Sequence, residues 1–437
     1  MDERIWNKRI ETMPRSELKE LQAKRLKQVA KKVYERVKFY HDVFDSIGVK
    51  PEELSPENLK KLPFTTKAHL RTNYPYGFLA VEKDEIAEIH MTSGTTGTPV
   101  VNYYTLSDIE NWGEISARSL SAAGVRKGDV IQITPSFGLF TGGFGFYYGA
   151  RKIGAFIIPT GPGNSKRQIE IMKTFGTKAV TAVASYMIRL TEVALEMGID
   201  PKKELSVRSA IIGSEPSTKE MKDRLREIWG LDVFDIPGMT ETYGPGMGID
   251  CYIHDGLHVW EDHYYFELID PKSGEVIENP EEKGELVVTT LTKDAMPLIR
   301  YRTGDLTYFM DDATHECGRT HRRIGYISGR TDDMIKFRGV NVWPSAIESV
   351  LAEEHDVGFE YQIILTTTKG LDDMLIKVES KTPLPEENKT RLAKRLEEKI
   401  KEKLLFEAKV EIVNPGILPR VEVGKARRVV DERTRTL

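Results

Sequence analysis

The sequence predicts an α/β protein: a large N-terminal region with parallel sheets, crossover helices and an antiparallel β subdomain, then a small α+β C-terminal domain. Three observations predict it. A chain of 437 residues exceeds what one hydrophobic core serves, so at least two domains are expected. Between about residues 125 and 240, short β-rich runs alternate with helical patterns, the mark of a parallel sheet with crossovers. Beyond GRTDDMIKFRG the pattern changes to helix, strands, charged helix and strand, enough for a separate fold, and the boundary is placed at Asp332 (residues 1–331 and 332–437).

Taken in order, residues 16–41 read as one amphipathic helix, with Leu26, Val29, Val33 and Val37 on one face. A stretch dense in proline and turn residues follows and reads as an ordered wrapping segment. DVIQITP, KAVTAV, SAIIGS and LDVFDI read as strands; SKRQIEIMKTF, ASYMIRLTEVALEMG and STKEMKDRLREIWG read as helices between them. HVWEDHYYFELID, GELVVTTLT and LIRYRTGDLTYFM, separated by turn signals, read as antiparallel strands. In the last part PSAIESVLAEE and PEENKTRLAKRLEEKIKEKL read as helices; YQIILTT, DMLIKVE and AKVEIVN read as strands. No internal repeat or low-complexity tract interrupts this order.

Composition narrows the function. Lys and Arg number 63 against 67 Asp and Glu, a net charge of −4. Without a dominant positive field, neither nucleic acid nor an anionic membrane is an expected partner. The opening MDERIWNKRIETMPRSELKE is charged throughout, and no apolar run approaches the roughly 20 residues that span a bilayer. Two cysteines cannot build a disulfide framework. The expectation is a cytoplasmic protein.

The chemistry starts at MTSGTTGTP, residues 91–99. Its glycines let the backbone curl so that successive N–H groups face an anion, and Thr92, Ser93, Thr95 and Thr96 add neutral donors. The Gly-Lys-Ser/Thr ending of a Walker loop is missing. A plain Ser/Thr/Gly linker reads the same way in isolation.

The loop is followed, in order, by GMTET (residues 238–242), YRTGDL (301–306), GRTDDMIKFRGVNVWPSAIE (329–348) and VGKARRVV (423–430). This series resembles the adenylate-forming superfamily of acyl-CoA synthetases, luciferases and peptide-synthetase adenylation domains. Within it, IWNKRIETMPRSEL, LPFTTKAHLRTNYPYG and GLFTGGFGFYYGARKIGAFIIP resemble the phenylacetate–coenzyme A ligase branch, and the likeness covers nearly the whole chain. One departure is Val100, where many superfamily members carry lysine after the loop proline.

The resemblance implies ATP, Mg²⁺ and coenzyme A, with a small-domain rotation between two half-reactions. It implies that residues 92–98 (Thr92, Ser93, Gly94, Thr95, Thr96 and Gly97 among them) wrap the β- and γ-phosphates. Thr240 would contact phosphate and Glu241 would hold Mg²⁺, a hard cation suited to carboxylate and phosphate oxygens. Asp305 would accept from the ribose hydroxyls, with Arg330 on the nucleotide. Gly213, Ser214, Glu215, Pro216, Asp235, Ile236 and Pro237 fall where the family sandwiches adenine, at the ends of predicted parallel strands. Lys425 would bridge the carboxylate and the α-phosphate. Asp332 matches the hinge, and Lys336, Arg338 and Gly339 the pantetheine tunnel.

Phe137, Phe140, Phe144 and Phe146 are candidates to flank an aryl acid by offset stacking, although most could equally pack the core. Gly244 and Pro245 match the pocket floor, and an aryl-acetic acid, phenylacetate first, is favoured over a fatty acid. Cys251, His258, His315 and Cys317 would supply a tetrahedral zinc set, with His254 a rival for the second place; buried thiols and ordinary loop histidines are the alternative. By resemblance a homodimer is expected. The competing readings are a coenzyme A ligase for indoleacetate or another aryl acid, an adenylyltransferase acting on a deazaflavin hydroxyl, and a non-catalytic nucleotide sensor.

Overall fold

A five-stranded parallel sheet organises the N-terminal region, in the order Phe156–Ile158, Val130–Ile133, Ala179–Val183, Ser209–Gly213, Asp232–Asp235. The computed structural model describes residues 4–92, 98–311, 315–338, 340–368, 371–420 and 426–433. The helices Gly142–Ile153, Ser165–Phe175, Ala184–Glu196 and Lys219–Trp229 make the crossovers. Their sequences carry apolar residues at helical spacing, and Ile169, Met172, Leu190, Val193, Met221 and Leu225 are buried against the sheet. Burying one such side chain stabilises by about 1.5–3 kcal/mol. Four of the five strands match the runs read from sequence. The fifth, Phe156–Ile158, extends the sheet at its edge and was not foreseen.

Two expectations need correction. The long N-terminal helix runs Arg15–Arg36 and breaks at Val37, whose φ of −117° and ψ of 105° are extended; a second helix, Lys38–Ile47, follows. Leu26, Val29, Val33 and Val37 are buried as the spacing required. HVWEDHYYFELID is not one strand. It divides into Leu257–Val259 and Tyr264–Ile269, which enter different sheets. The amides of His263 and Tyr264 both bond back to the Trp260 carbonyl, at 2.9 and 3.0 Å, and this turn separates them.

The antiparallel part comprises a sheet ordered Tyr264–Ile269, Gly284–Thr290, Tyr301–Thr307, Gly329–Arg330 and a second ordered Gly248–Asp250, Leu257–Val259, Arg323–Ile324. After residue 332 comes the hairpin Ile335–Phe337/Val340–Val342, then the helix Pro344–Ala352. A four-stranded sheet follows, ordered Lys409–Val413, Leu371–Ser380, Val357–Thr368, Val429–Asp431, covered by the helix Glu386–Leu404. Its core, from Ile335 through Ile363 and Leu396 to Ile412, draws only on residues of this last part. Among the described residues no helix is long and apolar enough to cross a membrane.

Candidate active site

The strands Glu88–Met91 and Val101–Tyr104 form an antiparallel hairpin whose tip is the glycine- and hydroxyl-rich loop. Ser93, Gly94, Thr95, Thr96 and Gly97 lie outside the described residues. Thr92 closes the neck: its amide donates to the Val100 carbonyl and its Oγ1 accepts from the Val100 amide, both at 2.9 Å. Through these two bonds Thr92 joins the strand ends, and its hydroxyl, an acceptor here, keeps its own hydrogen to donate.

The same hairpin positions the next motif. Asn102, fully buried, donates its side-chain amide to the carbonyls of Thr240 and Thr242. Thr240 Oγ1 stands 3.4 Å from Thr141 Oγ1. Glu241 is only 6% exposed, and Lys67 Nζ lies 3.4 Å from its Oε1. Tyr301 also bonds this carboxylate; burial first, then the Glu241 charge, pushes its phenol well above the usual range. Lys67 and Asn102 escaped the sequence reading, because their contacts reach 174 and 138 residues along the chain and leave no local signal.

Asp305, on the strand Tyr301–Thr307, receives Arg330 Nη1 at 2.8 Å. Burial pushes its carboxyl up to about 6, against the pull of the Arg330 charge, and the charges of Asp332 and Glu241 add to the rise. Arg330 also holds Asp332 through two N–H groups, at 2.8 and 3.2 Å. One guanidinium thus joins the expected ribose carboxylate to the expected hinge.

The parallel pairing of Ser209–Gly213 with Asp232–Asp235 delivers the expected adenine segments to one edge. A Cβ on Gly213 would stand 2.6 Å from the Ile236 carbonyl, so the two segments touch. The Ile236 side chain is buried in the core and offers a nucleotide only its backbone. Asp235 is engaged by Ser217 Oγ (2.8 and 2.9 Å) and by Lys222 Nζ (2.9 Å), which makes it a support of the pocket rather than a free acceptor. Ser214 and Pro216 are exposed beside them. Glu215 behaves differently. Its Oε2 accepts from the Ser185 amide at 2.9 Å and its Oε1 from the Ala426 amide at 2.6 Å.

At the expected acid pocket, Phe137 meets Phe144 edge-to-face at 5.4 Å, and Phe144 lies 5.0 Å from the His90 ring. Gly244 has a φ of +118°, and a Cβ there would fall 2.5 Å from Trp112 and 2.8 Å from Thr141. Glycine is required at that contact. The Pro245 carbonyl accepts from Trp112 Nε1 at 3.1 Å. Phe146 packs the core instead, and Phe140 is 47% exposed. Trp112, Thr141 and His90 join the candidates through these contacts.

Lys336 and Arg338 are exposed on the hairpin of the last part, and Gly339 lies outside the described residues. Arg338 donates to the Asp372 carbonyl at 2.7 Å and to Asp373 at 2.8 Å. Lys425 also lies outside the described residues.

Cys251, His258, His315 and Cys317 are all buried, and one ligand atom of each lies within 4.8 Å of every other. Cys317 Sγ is 3.0 Å from His315 Nδ1 and 3.3 Å from His258 Nε2; Cys251 Sγ is 3.8 Å from His315 Nδ1. The hydrogen bond between the two thiols holds Cys317 far below the usual range, helped by His258, and holds Cys251 far above it. Burial keeps His258 neutral, its ligand form. The rival His254 is engaged elsewhere, bridging Asp250 at 2.8 Å and Asp232 at 2.7 Å.

Other contacts among the described residues also tie the last part to the N-terminal region, among them Ser345 Oγ to the Ser328 carbonyl at 2.7 Å and Trp343 Nε1 to the Arg330 carbonyl at 3.2 Å. Arg420 joins Glu192 (2.9 Å) to Glu379 (2.7 Å), and Arg224 stacks over Phe359 at 3.9 Å.

The family of AMP-binding enzymes matches residues 14–292, and the AMP-binding enzyme C-terminal domain matches residues 339–433. A phenylacetate-coenzyme A ligase of Aromatoleum evansii is 41% identical over 430 residues, covering 97% of this chain and 96% of that protein. One of Thermus thermophilus is 41% identical over 447 residues, covering 98% and 100%. Among solved structures, 2-hydroxyisobutyryl-CoA ligase in the postadenylation state with 2-HIB-AMP superposes with a TM-score of 0.92 at 30% identity, covering 99% of this chain and 93% of that one. The same ligase with 2-HIB-AMP and CoA in the thioesterification state gives 0.72, with the same coverage. The chain belongs to the AMP-binding, adenylate-forming enzyme family, in its phenylacetate–coenzyme A ligase branch, and is an acid–thiol ligase.

Proposed function

We propose that this ligase activates an aryl-acetic acid, phenylacetate first, as an acyl-adenylate and passes the acyl group to coenzyme A, releasing AMP and pyrophosphate. The observation that carries the reading is the convergence of Thr240, Glu241, Lys67, Asp305 and Arg330 beside the ends of the parallel strands. A carboxylate is a poor electrophile, and attack of its oxygen on the α-phosphorus converts it to a mixed anhydride with AMP as leaving group. Charge then builds on the α-phosphate and the departing pyrophosphate and must be met by fixed positive groups. Lys425 is assigned to the α-phosphate side. Lys67 supplies an ammonium beside Glu241, 3.4 Å from its carboxylate. Glu241 fits Mg²⁺, being a buried carboxylate between Thr240 and Thr242, whose carbonyls Asn102 holds; an ion held there would neutralise phosphate charge.

The acid sits between Phe137, Phe144 and the strand carrying Gly244 and Pro245, and Thr141 and Thr240 mark where its carboxylate meets the nucleotide. The domain boundary is assigned to Asp332. The arrangement described is assigned to the adenylating half-reaction, which the higher TM-score with the postadenylation state supports. Thioester formation then requires rotation at Asp332 to bring Lys336 and its neighbours to the adenylate. Cys251, His258, His315 and Cys317 fit a structural Zn²⁺: metal bonds of ~2.0–2.3 Å in a tetrahedron set neighbouring ligand atoms roughly 3.3–3.8 Å apart, against 3.0, 3.3 and 3.8 Å for three of the pairs here and no more than 4.8 Å for any. Such an ion joins two distant segments of chain. The enzyme is assigned to the cytoplasm as a homodimer.

The test is a panel of phenylacetate, indoleacetate, benzoate and a deazaflavin, following pyrophosphate release and coenzyme A consumption together. Both signals are expected with phenylacetate. Pyrophosphate release with the deazaflavin and none with any acid would reject the ligase reading.

A further inference from the structure

Glu215 stands in the segment expected to hold adenine, yet both of its carboxylate oxygens are already used. Oε2 takes the amide of Ser185, at the start of the helix Ala184–Glu196, and Oε1 takes the amide of Ala426. Ala426 is the covalent neighbour of Lys425. Ser185 belongs to the N-terminal region and Ala426 to the last part of the chain, so one carboxylate spans the two at 2.9 and 2.6 Å. Amides bonded to an ionised carboxylate are among the stronger hydrogen bonds, and the first turn of a helix favours negative charge. One oxygen of Glu215 is therefore anchored in the N-terminal region, and the other holds the Ala426 amide, in the backbone beside Lys425.

We infer that Glu215 is a positioning residue for adenylation: it docks the backbone next to Lys425 and so fixes where the ammonium enters the site. The inference rests on the assignment of Lys425 above. Rotation of the small domain must break the Glu215–Ala426 bond while leaving Glu215–Ser185 intact, so the tether acts in one half-reaction only. An adenine-binding role predicts otherwise, since ATP and the acyl-adenylate carry the same base.

The experiment compares wild type, Glu215→Ala and Glu215→Gln in the two half-reactions measured apart. Phenylacetate-dependent exchange of labelled pyrophosphate into ATP reports adenylation; thioester yield from supplied phenylacetyl-adenylate and coenzyme A reports transfer. Glu215→Ala should lower exchange about 10- to 100-fold, as expected for losing a charged hydrogen bond, with transfer and the KM for the adenylate within about twofold of wild type. Glu215→Gln keeps one acceptor oxygen but sets an NH₂ against the other amide, and should fall between. Equal losses in both half-reactions, with KM raised for ATP and adenylate alike, would overturn the tether in favour of adenine binding. Should Glu215→Ala not fold, the same split in Glu215→Gln decides the matter. A Lys425→Ala control separates the two layers: undiminished exchange there rejects the assignment of Lys425, whereas lost exchange there with normal exchange in the Glu215 variants rejects the tether alone.

Discussion

The four-residue Cys/His cluster and the nucleotide site are assembled in opposite ways. Cys251, His258, His315 and Cys317 come from two segments of the N-terminal region, all buried, and Arg319 links the cluster to the equally buried Glu11 at 2.8 Å. The proposed nucleotide site draws Thr240, Glu241, Asp305 and Arg330 from that region, and the proposal assigns to it Lys425, which lies outside the described residues, from the last part of the chain. The parts are joined by contacts such as Glu215–Ala426 and Arg420–Glu192. A site enclosed in one packed region keeps its geometry throughout a catalytic cycle. A site shared between two regions can be taken apart and rebuilt, which two successive reactions on one adenylate require.

Breaking the shared site should give the largest effect. Lys425→Ala should reduce pyrophosphate exchange by about 10² to 10³, the usual cost of a lost electrostatic donor, while coenzyme A still consumes supplied adenylate. Asp332→Pro should do the converse, with thioester formation falling at least about tenfold below adenylation because φ is fixed at the hinge. Parallel loss of both half-reactions in Asp332→Pro would erase the contrast. Breaking the enclosed site should instead lower stability without separating the half-reactions. Cys317→Ser should abolish stoichiometric zinc by elemental analysis and lower the melting temperature. A metal held at a thousandfold its dissociation constant stabilises by about 4 kcal/mol. A protein free of zinc and indifferent to chelators would reduce the cluster to buried thiols and imidazoles.

The same contrast governs what the sequence discloses. The cluster was legible because the chain has only two cysteines, each with histidine close by; what sequence left open was His254 against His258, decided by two aspartates that occupy His254. The parallel strands were legible as β-rich runs between helices, except Phe156–Ile158, three residues too short to show a pattern. HVWEDHYYFELID misled because its aromatic residues continue through the turn at residues 260–263. Within the nucleotide site, motif residues could be named singly, but their couplings could not. Lys67 on Glu241, Asn102 on Thr240, and Glu215 on Ala426 are contacts across more than a hundred residues, and such pairing leaves no periodicity to read.

The smallest predicted effect sharpens the comparison through pH. Asp305 is raised to about 6 by burial, so in the nucleotide-free protein it takes up a proton as pH falls through that value. A raised carboxyl favours the folded state when protonated; ionised, it costs stability, which the free protein bears at neutral pH. Ribose hydroxyls donate best to the ionised form. The KM for ATP should therefore rise as pH falls from 7 to 5, by up to about tenfold for each unit below the midpoint, and Asp305→Asn should flatten the profile while starting from a higher KM. Zinc content, measured on the same samples, should hold constant across that range if the enclosed cluster is insulated from the nucleotide site. A KM that does not change between pH 7 and 5 would mean that Asp305 stays ionised in the folded protein, with Arg330 rather than burial setting its charge.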